Sequence, residues 1–249
     1  MSIIYEPRGK AREFAALAAN IYKGCAHGCT YCYAPSATFT PRDKFSEKTY
    51  IQPRKNWFDQ MEKDCKKLTK NRCQEIILMS FTSDPYQPCE EKFKVTRLAM
   101  SMMNRYGLNF GVLTKGGTRA CRDFDLLSKN PKNQFACTLT TDIDSESLEW
   151  EPGAALPSDR IEALRKAHAL GIDTWVSFEP VINPEAVPRL IDKTHKFVNL
   201  YKIGKLNYHK KASEIDWSSY LQTVEAKLHQ YGKKYIVKKD LEAYRKIAA

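Results

Sequence analysis

Three thiols stand close together in this chain, at Cys25, Cys29 and Cys32 in Gly24-Cys25-Ala26-His27-Gly28-Cys29-Thr30-Tyr31-Cys32-Tyr33-Ala34-Pro35. Thiolate sulfur selects zinc, copper(I) and iron–sulfur clusters over hard cations. Complete zinc and cluster sites usually present four protein ligands, so three leave one metal position open to a substrate or cofactor atom. Two plainer readings stand beside this one: a structural zinc knuckle that borrows a fourth ligand, or three unrelated buried thiols. No second close Cys-x-x-Cys pair follows to complete a zinc site.

The wider string from Asn20 to Ala34 resembles the spore photoproduct lyase-like branch of the radical S-adenosylmethionine (SAM) proteins. The resemblance implies a [4Fe-4S] cluster on Cys25, Cys29 and Cys32, with SAM as second cofactor. It also implies reductive cleavage of SAM to a 5′-deoxyadenosyl radical that abstracts hydrogen from substrate. No second cluster motif is present, so an outside electron source such as flavodoxin or ferredoxin is expected. Tyr31 and Tyr33 match tyrosines implicated in radical relay in that branch; otherwise they pack the loop. His27 is read as packing or hydrogen-bonding rather than ligating. The segment Thr82-Ser83-Asp84-Pro85-Tyr86-Gln87-Pro88 carries the resemblance further, since this strand end lies near the SAM amino group in the branch. One position departs from the pattern. The lyases carry a hydrogen-donating cysteine just before the Thr-Ser-Asp triplet, and here that residue is Phe81. A true lyase reaction is therefore not implied. Cys89 is the candidate substitute, with Cys73 behind it, and Cys65, Cys121 and Cys137 read as packing residues.

The elements that position these groups follow from periodicity. Apolar runs at 17–21, 75–81, 110–114, 135–140, 174–178 and 197–203 read as strands, separated by helical patterns such as Val95, Leu98, Ala99, Met102 and Tyr106. Residues 1–17 read as an N-terminal extension, and 35–56 and 141–158 as long loops. Alternation of strand and helix predicts a parallel sheet with right-handed crossovers. Together with the resemblance this gives an α/β fold, a partial (β/α)6 TIM-like barrel of the radical SAM type. It is read as a single domain over 1–249, with its core at about 18–208 and a short C-terminal α/β extension at 209–249.

Barrel enzymes keep their sites at the C-terminal strand ends, which makes the polar residues there the candidate SAM ligands. Thr82, Ser83 and Asp84 can accept from an ammonium, though Asp84 also suits a turn cap. Lys115, before Gly116-Gly117, can meet the SAM carboxylate. Thr140, with Thr141 and Asp142, follows the fourth strand, where the family binds ribose hydroxyls. Ser177 and Glu179 follow the fifth. Lys202, with Gly204 and Lys205, ends the sixth, where the resemblance suggests contact with adenine or substrate.

With 43% hydrophobic and 28% charged residues the chain reads as an ordinary globule without a membrane span. Arg8, Lys10, Arg12 and Glu13 interrupt any signal-peptide core, so a cytoplasmic location with reduced thiols is expected. Of the net charge of +11, residues 1–72 carry +7 and residues 200–249 carry +6. If first and last strands approach each other, the two basic ends make one face that attracts DNA or RNA; the alternative is a solvated surface. Two other function classes fit these features. One is a radical SAM enzyme acting on a peptide or partner protein, the other a zinc-binding, noncatalytic nucleic-acid module.

Overall fold

The computed structural model describes residues 2–207 and 209–245. Among the described residues ten strands form: β1 (Ile4–Tyr5), β2 (Leu17–Ala19), β3 (Tyr22–Lys23), β4 (Gln52–Pro53), β5 (Ile77–Met79), β6 (Phe110–Thr114), β7 (Gln134–Thr138), β8 (Asp173–Phe178), β9 (Leu200–Ile203) and β10 (Lys234–Val237). Eight of them make one sheet in the order β1-β2-β5-β6-β7-β8-β9-β10, and β3 pairs with β4. From β2 onward every neighbour in the large sheet is parallel; β1 is antiparallel to β2. Among the described residues β1 and β10 do not pair, so the sheet is an open, partial barrel.

Alternation along the strands builds two apolar layers. Ile77, Met79, Phe110, Val112, Phe135, Cys137, Val176 and Phe178 join the main core. Their neighbours Leu78, Leu113, Ala136 and Trp175 meet on the other face, against Phe14, Ala15, Phe81 and Leu200. A parallel sheet must be covered on both faces. Here the N-terminal segment supplies part of the second cover. Lys202 donates to the Phe14 carbonyl at 2.9 Å and Lys238 to the Lys10 carbonyl at 3.0 Å, while Lys10 pairs with Asp240 at 2.6 Å. The two basic ends of the chain thus meet across the open side of the sheet.

Three expectations change. The N-terminal extension contains β1, whose backbone also receives support from Asp64. The loop expected at 35–56 holds short helices at Ala34–Ala37 and Arg42–Phe45 plus β4, and that at 141–158 holds the helix Asp144–Trp150. These elements are too short to show a 3.6-residue stripe, and the prolines beside them read as loop. The tail strand is not peripheral: β10 is the eighth strand of the sheet, parallel to β9. Residue 208, at the end of the expected core, and residues 246–249 of the expected extension lie outside the described residues.

Candidate active site

The loop that carries the cysteines is held from every side. Gln87 accepts from the Ala26 amide at 2.9 Å and donates to the Gly24 carbonyl at 3.3 Å. The Thr30 amide donates to the Trp150 carbonyl at 2.9 Å, and the Gly153 amide to the His27 carbonyl at 2.9 Å. Arg42 donates to the carbonyls of Cys29 and Cys32 at 3.1 and 2.7 Å. A Cβ on Gly153 would sit 2.1 Å from the Ala26 carbonyl oxygen. Close-packed interiors do not yield by the ~1 Å that would relieve this. Gly153→Ala is therefore expected to displace the cysteine loop and to leave less than about half the iron bound after reconstitution, measured against wild type at equal folded fraction.

Cys25, Cys29 and Cys32 line one small cavity at the end of β5, with Thr82, Ser83, Asp84 and Lys115 on its other walls. Burial pushes the Cys25 thiol well above its ordinary pKa and Cys29 up to about 11. Among the described residues no group of three or more His, Cys, Asp or Glu side chains converges closely enough to hold a metal ion. One zinc ion needs its thiolate ligands all about 2.3 Å away, whereas the thiolates of a four-iron cluster each hold a different iron and so stand further apart. Three thiols around one cavity, which His27 and Asp84 also line, fit the second arrangement.

Both carboxylate oxygens of Asp84 are engaged. Its Oδ1 accepts from Thr114 at 2.6 Å and from the Tyr86 amide at 2.8 Å, and its Oδ2 accepts from the Lys115 amide at 2.8 Å. His27 Nδ1 stands 3.4 Å from that same Oδ2. Burial opposes the charge on Asp84, but these donors outweigh it and hold the carboxyl below its ordinary pKa. The neighbouring His27 and the hydrogen bonds from Thr114, Lys115 and Tyr86 all act in that direction, while burial pulls His27 itself down to about 4. A carboxylate has about four acceptor positions, and here three serve the turn and the end of β6. Thr82 and Ser83 remain as hydroxyls on the cavity wall.

A larger cavity of about 390 Å³ continues from the first, sharing Cys29, Cys32, Ser80, Phe81 and Lys115 with it and adding Tyr31, Tyr33, Arg8, Lys205 and Ser177. Its size suits a small-molecule ligand. Ser177 Oγ is buried without a partner among the described residues, as is Thr140 Oγ1, although Thr140 lines neither cavity. Buried hydroxyls normally have a partner, so Ser177 is a group a ligand can satisfy. Glu179 also lines this cavity and pairs with Lys238 at 3.0 Å. Phe81 has φ +88, an uncommon value for a bulky residue, and packs edge-on against Phe14.

Beneath Tyr31 lies a network that sequence reasoning missed. The Tyr31 hydroxyl donates to Glu151, and Glu151 pairs with Arg160 at 2.5 Å, both side chains fully buried. Burial and Glu151 raise the Tyr31 phenol well above its ordinary pKa. Lys115 stands 4.0 Å from Glu151 and 5.5 Å from the Tyr31 ring; burial opposes its charge, and Cys29 and Glu151 more than offset that. In the sequence this region reads only as part of the long loop at 141–158.

Other expected residues lie apart. Cys89 lines neither cavity; it packs against the main core, and burial together with Glu90 pushes its thiol up to about 11. Lys202 also lines neither: it lies 4.2 Å from the Trp175 ring centre, and burial and Lys238 lower it to about 8. Asp142 turns to Arg189 and Lys193, each at 2.8 Å, and Thr141 bonds Glu146 at 2.5 Å. No described helix is long and apolar enough to cross a membrane.

Comparison with known proteins bears on the family and the fold. Residues 19–198 match the family model described as the radical SAM superfamily. An uncharacterized protein of Methanocaldococcus jannaschii is 29% identical over 191 residues, spanning 76% of this chain and 69% of that one. A radical SAM Nalpha-GlyT isomerase of Pseudomonas phage M6 is 26% identical over 197 residues, 78% of this chain but 38% of its own length. A mutant of spore photoproduct lyase with bound AdoMet and dinucleoside spore photoproduct superposes with a TM-score of 0.71 at 15% identity, covering 93% of this chain and 78% of that one. The last likeness is one of fold.

Proposed function

This chain belongs to the radical SAM superfamily, and on that premise we propose that it cleaves SAM reductively at a [4Fe-4S] cluster held by Cys25, Cys29 and Cys32 and acts on a nucleic acid. The observation that carries the reading is the pair of joined cavities: three thiols wall the first, and the second adds tyrosines and basic side chains. Cys25, Cys29 and Cys32 would hold the cluster, and cluster and SAM together would supply one-electron cleavage of SAM to methionine and the power to abstract a hydrogen atom.

The chain's own residues supply the rest. Thr82 and Ser83 offer hydroxyls, Lys115 an ammonium suited to a carboxylate, and Ser177 a hydroxyl in need of a partner. Asp84 acts as a positioning residue, tying the β5 end to β6 and to His27. Phe81 and Phe14 form an apolar wall where the lyases have a thiol. Besides the three cluster cysteines no thiol lines either cavity among the described residues. Tyr31 and Tyr33 are therefore the candidate hydrogen carriers, with Tyr31 held by Glu151 and Tyr33 half-exposed at 49%. Arg8 and Lys205, which line the larger cavity, suit phosphates.

The test is anaerobic reconstitution with iron and sulfide, followed by SAM and dithionite, with 5′-deoxyadenosine measured with and without single- and double-stranded oligonucleotides. The expected result is 5′-deoxyadenosine whose rate rises with oligonucleotide and whose stimulation fades as salt increases. Product that ignores oligonucleotide, with no salt-dependent binding, would overturn the substrate. Absence of product would overturn the reaction.

A further inference from the structure

Reductive cleavage, proposed above, draws one electron from outside the chain, and one largely exposed segment packs directly on the cysteine loop. The short helix Arg42–Phe45 lies directly on that loop. The Cys25 amide donates to the Phe45 carbonyl at 3.1 Å, and Arg42 holds the Cys29 and Cys32 carbonyls. A single turn of helix thus separates the cysteine loop from solvent here.

The outer side of this cover forms one patch around Tyr50. The Tyr50 hydroxyl is 3.2 Å from Thr40 Oγ1, and the ammonium groups of Lys23 and Lys44 lie 5.2 and 5.8 Å from the Tyr50 ring centre. Lys23, Arg42, Lys44 and Lys48 are exposed, against Asp43 and Glu47. At the edge of the patch Phe39 is 97% exposed and has φ +50, a backbone conformation a bulky side chain rarely takes. An aromatic ring held out in water by an uncommon backbone conformation points to a contact made elsewhere. None of these residues lines the larger cavity.

We infer that this patch is the docking surface for an acidic one-electron carrier protein, of the flavodoxin or ferredoxin kind. The charge is complementary to such a carrier, and Phe39 supplies the apolar anchor that a small interface needs. A nucleic acid fits less well, because a strand on this patch would not lead into the larger cavity. The carrier loses one electron and the cluster site gains it; no bond is made or broken at the interface.

The test compares wild type with Lys23→Glu/Lys44→Glu/Lys48→Glu and, separately, Phe39→Ser, using a reduced bacterial flavodoxin and, in parallel, dithionite. The expected result is a loss of about tenfold or more in flavodoxin-dependent 5′-deoxyadenosine formation at low salt, with the dithionite rate unchanged within about twofold. Titration of isotope-labelled flavodoxin, which needs no turnover, should show binding weakened by a similar factor and, in wild type, by added salt. Equal losses with both reductants, or flavodoxin binding that the variants do not alter, would overturn the docking site. So would weakened oligonucleotide binding with unchanged flavodoxin kinetics. Wild type that makes no product with dithionite but still binds flavodoxin through the patch would overturn the proposed reaction and leave the surface standing.

Discussion

Arg160→Met should lower stability by about 3–5 kcal/mol, among the largest effects of any single substitution in this chain. Arg160 and Glu151 are both fully buried and paired at 2.5 Å, and Arg160 also donates to the carbonyls of Thr138 and Ala155 at 3.0 and 2.8 Å. Without the guanidinium, Glu151 is a buried charge facing only the Tyr31 hydroxyl and a lysine at 4.0 Å. In the native protein burial works against Glu151, but Arg160 and Lys115 outweigh it and hold the carboxyl below its ordinary pKa. It therefore stabilises the fold above its unfolded pKa, and that contribution fades as the pH falls through the lower, native value. In the variant the sign reverses: Glu151 resists ionisation, and stability drops as the pH rises past the unfolded value. Urea titrations of wild type and variant should thus differ more at pH 8 than at pH 5. A gap independent of pH would show that the loss is one of packing. Glu151→Gln/Arg160→Met, which removes both charges, should recover most of the deficit. A double variant as unstable as the single one would argue against the charge account.

The second large effect belongs to Cys29→Ala. A reconstituted enzyme lacking one of three thiolates should bind substantially less iron and lose 5′-deoxyadenosine formation by about a thousandfold or more. Its thermal unfolding before reconstitution should stay within a few degrees of wild type, since a buried cysteine acts as a small apolar group. Cys89→Ala serves as the contrast. Cys89 lines neither cavity, so this variant should keep the wild-type rate within about twofold. Iron uptake without product in wild type would leave a cluster protein that does not cleave SAM. Stoichiometric zinc with no cluster absorbance would restore the reading of a metal-binding module.

Much of this architecture was legible before any coordinates. The spacing of Cys25, Cys29 and Cys32 names a soft, incomplete donor set, because ligand type and number are local properties of the chain. Helix and strand periodicities placed most of the strands for the same reason: a buried face repeats every two or 3.6 residues wherever the element is long enough to show it. The helix Asp144–Trp150 and the strand Ile4–Tyr5 were not legible, being too short for a period.

The partners of the site lay further out of reach. Asp84 could be read as a SAM ligand or a turn cap, and only packing shows that it accepts from Thr114, Tyr86 and Lys115, with His27 beside it. Cys89, close to the Thr-Ser-Asp triplet in sequence, is turned into the core, whereas Glu151, 119 residues beyond Cys32, bonds the tyrosine beside it. Sequence by itself determined the donor chemistry, the alternation of elements and the strand ends where a site belongs. Which side chains share a cavity, which charges are buried together and how the chain's two ends meet were decided only by tertiary structure. Such contacts join residues far apart along the chain, and no local propensity encodes a distance across the sheet.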